Sequence, residues 1–432
     1  MPATPPESGT FALTTEQAAA LAALTEFVQG SERLYLLTGY AGTGKTTLLQ
    51  RFIQDLQTQG DRRKIVLAAF SNKATKVLAT LAAQWQLEVD VMTCCTLLGL
   101  RPVINETTGN QEFQPDRKQR SQIDRYHLVV VDECSMVNEE LWDLLVNAVS
   151  GLYSHTQILF VGDPAQLPPV NEPESACFHQ ILHRSELTEV VRYGGAIGVI
   201  AEDIRRHLDR PQLPRFTHDT NGDRTEGCFV LPRTVWHTLL LKAFTSDAYR
   251  RNPDQVRALA YTNRRVTQLN HLIRQAIYGD RVNRFVPGER LIAMQPCLGD
   301  ESIILPTSAE CEVIEARQGR DGEWPVWYLS VETEEQRLRT LRVLHESGQQ
   351  AMAAQLEFLA RERRWIEFWD LRQRFHRVDY AYSLTIHKSQ GSTFQDVFVD
   401  VPSMAANRNV IERNQLCYVA VTRAAKRLFV YP

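Results

Sequence analysis

The sequence predicts an α/β protein built on a doubly wound parallel sheet, and two patterns carry that expectation. Short, continuous apolar runs stand at 34–38, 64–69, 127–131 and 157–161, separated by stretches with helical spacing such as 73–84 and 139–149. Strands that are apolar on every residue, rather than on alternate ones, are covered on both faces, as parallel sheets are. The second pattern is a glycine loop at a strand-to-helix junction. Leu34–Thr38 leads into Gly39-Tyr40-Ala41-Gly42-Thr43-Gly44-Lys45-Thr46-Thr47, and the next residues set Leu48, Leu49, Phe52, Ile53 and Leu56 at helical spacing.

That loop is a complete G-x-x-x-x-G-K-[ST] motif in the strand–loop–helix context it requires. Glycines let backbone N–H groups wrap a polyphosphate, and the helix N-terminus adds partial positive charge. Lys45 is placed to reach the β- and γ-phosphates, and the Thr46 hydroxyl to ligate Mg²⁺. A second acidic motif turns nucleotide binding toward hydrolysis. Leu128–Val131 ends in Asp132-Glu133, where Asp132 would hold the Mg²⁺ shell and Glu133 would orient or deprotonate the attacking water.

Further along, residues 101–124 are polar and free of helical period, and 103–113 read as a hairpin turning at Thr108-Gly109-Asn110. A second α/β unit begins near residue 186, with buried strands at Val256–Tyr261 and Val397–Val401 and an amphipathic helix at Asn263–Ile277. Between them, 286–345 alternates like a small β domain, with strands at Glu312–Ala316 and Trp327–Val331 and a turn at Gly319–Gly322. Residues 350–377 form one long helical pattern in which Trp365, Phe368, Trp369 and Phe375 read as core. The expected division is 1–185 as a first domain carrying the 101–124 insertion, 186–285 with 379–432 as a second, and 286–378 as an accessory domain.

Composition limits the alternatives. At 432 residues the chain exceeds one core, and 44% hydrophobic with 23% charged residues is ordinary for a globular enzyme. No apolar run approaches the ~20 residues of a membrane span, and Met1–Pro6 show no signal peptide, so a cytoplasmic location is expected. Eight scattered cysteines without C-x-x-C pairs point to reduced thiols rather than zinc or iron–sulfur ligands. His179-Gln180-Ile181-Leu182-His183 lacks the glutamate of a metalloprotease helix and reads as a helix surface. The net charge of −3 does not exclude nucleic acid, because a single groove can do the binding.

Four further segments complete a set. They are Gly162-Asp163-Pro164-Ala165-Gln166-Leu167-Pro168-Pro169-Val170, Ala260-Tyr261-Thr262-Asn263-Arg264, Leu384-Thr385-Ile386-His387-Lys388-Ser389-Gln390-Gly391 and Tyr418-Val419-Ala420-Val421-Thr422-Arg423-Ala424. In this order and spacing the chain, from Gln17 to Arg427, resembles the superfamily 1 helicases of the RecD/Dda branch. The resemblance implies two RecA-like P-loop domains, with a hairpin insertion in the first and a small β domain plus helix inserted in the second. It implies an ATP- and Mg²⁺-dependent DNA helicase that translocates 5′→3′ on single-stranded DNA, acts as a monomer on forked duplexes away from membranes, and serves replication, repair or recombination. An RNA-directed unwindase and a nucleotide-dependent binding switch are the competing readings.

Residue by residue, the resemblance gives Gln17 the adenine edge and Gln166 the sensing of the γ-phosphate. It gives Arg192, in Leu187–Arg192, and Arg423 the role of cations presented to that phosphate. Strand contacts fall to Phe70, Ser71, Asn72, Lys73, Thr93, Asn263, Arg264, Thr385, His387 and Gln390, the 101–124 hairpin to a pin that parts the duplex, and 286–377 to its accessory brace. Phe70 stands where the family usually has Pro, and Cys95 where it usually has His.

Overall fold

The computed structural model describes residues 13–104, 111–115, 119–151, 154–190, 195–280, 282–299 and 303–432. Two compact units emerge, one of 1–103, 113–236 and 389–432, the other of 104–112 and 237–388. The expected turn at 108–110 and Arg192 lie outside the described residues.

The first unit contains a six-stranded sheet in the order Asp90–Thr93, Ile65–Ala69, Leu128–Val131, Gln157–Gly162, Leu34–Gly39 and Arg184–Leu187, every pairing parallel. Successive side chains point to opposite faces, so each apolar run feeds two cores. Leu36, Val66, Ala68, Val129, Val131, Ile158 and Phe160 pack with Leu141, Trp142 and Leu145 of the helix Glu139–Val149. Tyr35, Leu37, Ile65, Leu67, Val130, Leu159 and Val161 pack with Leu24 and Phe27 of Thr15–Gln29 and with Leu48, Phe52 and Ile53 of Lys45–Thr58. The doubly wound sheet expected from the apolar runs is therefore present, strand for strand. The same unit holds a second set, in which Phe394–Asp400, Ala424–Tyr431 and Gly227–Val230 run parallel and Asp219–Thr220 caps the edge antiparallel. The expected strand at 397–401 ends one residue earlier, because the Asp400 carboxylate accepts the N–H of Ser403 and starts the turn Val401–Met404.

Leu100–Ile104 and Gln111–Pro115 pair as a two-stranded sheet, which agrees with a hairpin in the 101–124 insertion.

In the second unit, Val256–Ala260 pairs in parallel with Ser383–Thr385, and the helix Asn263–Tyr278 follows the first of these strands. The β domain is a five-stranded antiparallel sheet in the order Leu338–Leu344, Trp324–Thr333, Glu310–Asp321, Arg290–Ala293 and Val378–Tyr380. Its long hairpin turns at Gly322 (φ 61°), three residues past the start of the expected turn, so that Asp321 pairs with Trp324.

Two expectations about 350–377 change. The single helix is two, Gln349–Arg361 and Trp365–Gln373, broken where Arg363 takes a left-handed conformation (φ 54°) and Arg364 N–H returns to the Leu359 carbonyl. Phe375 is core, packed with Trp324, Val326, Leu359 and Leu371, but Trp365 is 52% and Ile366 81% exposed. The His179–His183 segment is also split, since the helix Ala176–Gln180 ends before His183.

One buried pair holds the floor of this unit. Arg257 is fully buried and donates to Glu310, itself 2% exposed, at 3.1 Å. Breaking such a pair leaves an uncompensated charge. Arg257, however, keeps a second carboxylate, Asp254 at 3.3 Å, so Glu310→Ala should lower unfolding free energy by about 1–3 kcal/mol, read by urea denaturation, whereas Glu310→Gln, which keeps an acceptor, should cost less.

Candidate nucleotide and strand site

The glycine loop closes on itself before anything else touches it. Gly42 and Gly44 take φ of 85° and 83°, a region that side chains other than glycine's rarely adopt, and Gly44 directly precedes the helix Lys45–Thr58. The Thr43 N–H and hydroxyl both donate to the Tyr40 carbonyl, at 3.2 and 2.9 Å. The Lys45 ammonium lies folded over the loop, donating to the carbonyls of Gly39 and of Tyr40, the latter at 3.0 Å. Gln17 is 4% exposed and sits under the loop. Its amide donates to the Thr43 carbonyl at 3.0 Å, and its oxygen accepts the Thr14 N–H at 3.1 Å in a capping box.

Asp132 and Glu133 leave the strand Leu128–Val131, separated from the loop's own strand by Gln157–Gly162. Glu133 has φ 54° and ψ 44°, a left-handed placement that costs a non-glycine residue of order 1–3 kcal/mol and recurs at functional sites. Burial, and then the charge of Glu133, push the Asp132 carboxyl up to about 7, with the Glu133 N–H and the Lys45 cation opposing them. A crowded acidic pair of this kind favours a cation beside it. Asp132 with the Thr46 hydroxyl is a donor set that fits Mg²⁺, which takes few protein ligands and completes its shell with water and phosphate. Among the described residues no cluster of three His, Cys, Asp or Glu makes a closed metal cage.

The third strand end brings Asp163 and Gln166. Asp163 is fully buried, and its carboxylate accepts the Ala165 N–H at 2.9 Å and the Tyr418 hydroxyl at 2.7 Å. That same hydroxyl accepts the Ala41 N–H of the phosphate loop at 2.9 Å. Tyr418 thus ties the helix Val410–Thr422 to two ATPase elements through one oxygen. The Gln166 side-chain oxygen accepts the Gln390 amide at 3.2 Å, and the same amide reaches the Ser135 hydroxyl at 3.3 Å. Gln390, expected to touch the strand, therefore faces the groups beside Glu133 and Gln166. Arg423 is 6% exposed, with its donors on the Val419 and Ser392 carbonyls and the Thr422 hydroxyl, at 3.1, 3.0 and 3.2 Å.

The expected strand contacts divide. Ser71 and Thr93 spend their hydroxyls on helix caps, accepting the N–H groups of Ala74 and Thr96. Phe70 is half-buried against the core, and the Lys73 ammonium lies 4.9 Å over the Phe394 ring. Asn72 opens the helix Asn72–Gln84. Cys95 packs against the same core, and burial pushes its thiol up to about 11, so it stays neutral. In the second unit Asn263, Arg264 and His387 are exposed, while Thr385 is buried and accepts the Lys388 N–H at 3.3 Å. Tyr418 was visible in the sequence as the head of a quoted segment, but no local pattern gave its hydroxyl a role.

Comparison with known proteins agrees with this arrangement. An AAA domain model matches residues 12–211, and a UvrD-like helicase C-terminal domain model matches residues 380–431. The ATP-dependent DNA helicase dda of Enterobacteria phage T4 is 26% identical over 91% of this chain and 93% of its own length. The RecD subunit of the RecBCD enzyme from Mycolicibacterium smegmatis is 32% identical over 40% of this chain and 33% of RecD. Among solved structures, a study of two coordinating Pif1 helicases at forked dsDNA gives a TM-score of 0.54 at 15% identity, covering 97% of this chain and 92% of that one. Bacteroides Pif1 in complex with ADP-AlF3 and ssDNA gives 0.52 at 16% identity with the same coverage. At such identities the structural likeness speaks for the fold.

Removing the shared hydroxyl tests the tie. Tyr418→Phe should leave Asp163 and the Ala41 N–H each short of a partner, lowering stability by about 1–3 kcal/mol. It should raise KM for ATP in a steady-state ATPase assay.

Proposed function

Because this chain belongs to the superfamily 1 DNA helicases of the RecD/Dda branch, and so is an ATP-driven enzyme that unwinds DNA, we propose that it moves 5′→3′ along single-stranded DNA and parts the duplex at a fork. What supports ATP as the driver is the convergence of Lys45, the Asp132-Glu133 pair and Gln166 at the carboxyl ends of neighbouring parallel strands, where α/β sheets build their sites; the polarity rests on the family resemblance.

In this reading the polyphosphate of ATP lies along the Gly39–Thr47 loop, and Lys45 exchanges its carbonyl partners for the β- and γ-phosphates. Asp132 and Thr46 would hold Mg²⁺, which supplies charge neutralisation on the phosphates. Glu133 takes the proton of the attacking water, held toward the γ-phosphorus by its left-handed backbone. Gln166 orients that water or the phosphoryl oxygens. Arg423 must release Ser392 and Val419 before it can reach a phosphate, so its contribution depends on a rearrangement of the C-terminal segment. Arg192 acts with it. That dependence makes hydrolysis conditional on closure, which is how turnover drives a step.

On the strand side, the resemblance assigns contacts to Phe70, Ser71, Asn72, Lys73 and Thr93, and separately to Asn263, Arg264, Thr385 and His387. By resemblance the division would be 1–185 with the hairpin as separator, 186–285 with 379–432, and 286–378 as the brace, whereas the compact units group 186–236 and 389–432 with the first. A cytoplasmic location goes with the eight cysteines free of disulfides, and action as a monomer is carried by the resemblance alone. No helix among the described residues is long and apolar enough to cross a membrane.

Duplexes carrying only a 5′ or only a 3′ single-stranded tail test the polarity. The 5′-tailed substrate should be unwound with ATP and Mg²⁺, and preferential opening of the 3′-tailed one would reverse the assignment. Glu133→Gln should keep ATP and single-strand binding within about twofold while kcat falls on the order of 10²–10⁴-fold, the range of a positioned general base. Normal turnover by that variant would remove Glu133 from the role.

A further inference from the structure

The helix Ala196–Arg206 buries Ala196, Ile197, Ile200, Ala201 and Ile204 on one face, and Arg205 stands at the margin of that face. Only 10% of its side chain is exposed, against 65% for Arg206. Its guanidinium carbon lies 3.4 Å from the centre of the Tyr40 ring, inside the phosphate loop. The guanidinium therefore lies over the aromatic face. Its Nη1 is buried and has no hydrogen-bond partner, and its Nη2 is 3.7 Å from Glu202, beyond hydrogen-bond length. Glu202 is already held by Arg206 at 2.5 Å.

The neighbouring acids offer no better partner. Both Asp163 oxygens are engaged, by Ala165 and Tyr418, and Glu186 is bonded to the Tyr40 hydroxyl. Arg205 is close enough to oppose the upward shift of both the Tyr40 and Tyr418 hydroxyls. A buried guanidinium N–H without an acceptor is costly. Here it stands against Tyr40 and beside the hydroxyl that holds the Ala41 N–H, on the loop whose amides bind polyphosphate.

We infer that Arg205 is a further phosphate-facing arginine of the ATPase site, its free Nη1 meeting an oxygen of the nucleoside triphosphate's γ-phosphoryl group. The inference rests on the nucleotide reading of the glycine loop. Unlike Arg423, each of whose three nitrogens donates a hydrogen bond, Arg205 has an Nη1 that needs to break none to act. Charge that develops on the γ-phosphoryl oxygens as it transfers to water would meet a preorganised donor.

Arg205→Met tests this, because methionine keeps an apolar stem over Tyr40 and removes only the charged fork. DNA-stimulated kcat should fall on the order of 10²-fold or more, as loss of an arginine finger does. ADP affinity and melting temperature should stay near wild type, while binding of ADP with aluminium fluoride weakens in step with kcat. Arg205→Lys should recover part of kcat. Turnover within about threefold of wild type overturns the inference, as does an equal loss of ADP and ADP–aluminium fluoride binding with a lower melting temperature, which marks a packing role. Lys45→Ala, run beside it, separates the two levels: if it turns over normally the nucleotide reading itself fails, and if it is dead while Arg205→Met is active only Arg205 is misassigned.

Discussion

The phosphate loop, the acidic pair and the Asp163–Gln166 turn stand side by side because six strands run in the same direction. A parallel sheet buried on both faces must return each connection across a helix, so all of its strands end on one edge. Leu34–Gly39, Leu128–Val131 and Gln157–Gly162 are neighbours through parallel pairings, and their ends deliver the phosphate loop, the acidic pair and the Asp163–Gln166 turn side by side. The apolar alternation that feeds both cores is thus also what assembles the chemistry. A one-residue slip of any of these strands would turn its core residues to the wrong face and move its catalytic residue by one position.

The parts of the site that were legible in the sequence are those whose chemistry is local. Gly42 and Gly44 carry their meaning in nine consecutive residues, since positive φ and the following helix are enough to define the loop. Asp132-Glu133 is equally compact, because a saturated apolar strand announces its own end. Tyr418 and Arg205 were not legible, because their partners, Ala41, Asp163 and Tyr40, lie more than 150 residues away in sequence. No periodicity encodes such pairings.

The misread elements failed for a related reason. Residues 350–377 have helical spacing throughout, and no glycine or proline marks the break at Arg363, whose left-handed turn is fixed by the return bond of Arg364 to Leu359. Aromatic residues at helical spacing suggested a core, but only one face of a short helix can be covered, which leaves Trp365 and Ile366 in solvent while Leu371 and Phe375 are inside. Cys95, where the family has histidine, joins the hydrophobic cluster beneath the sheet as a neutral thiol. That position contributes packing where an imidazole would contribute a donor.

Gln390 is where the resemblance and the observed bonds point to different partners. It belongs to a segment whose resemblance assigns it to the nucleic-acid strand, yet its amide is bonded to Gln166 and Ser135. Were a strand to change those bonds and with them nucleotide affinity, linkage would oblige the nucleotide to alter strand affinity by the same factor. The size of that reciprocity is bounded by the bonds that carry it. One hydrogen bond is worth about 1 kcal/mol net, roughly a fivefold change in a binding constant. With the longer bond to the Leu167 carbonyl at 3.5 Å the amide makes three, which at that worth set a scale on the order of 10²-fold for coupling routed through this side chain.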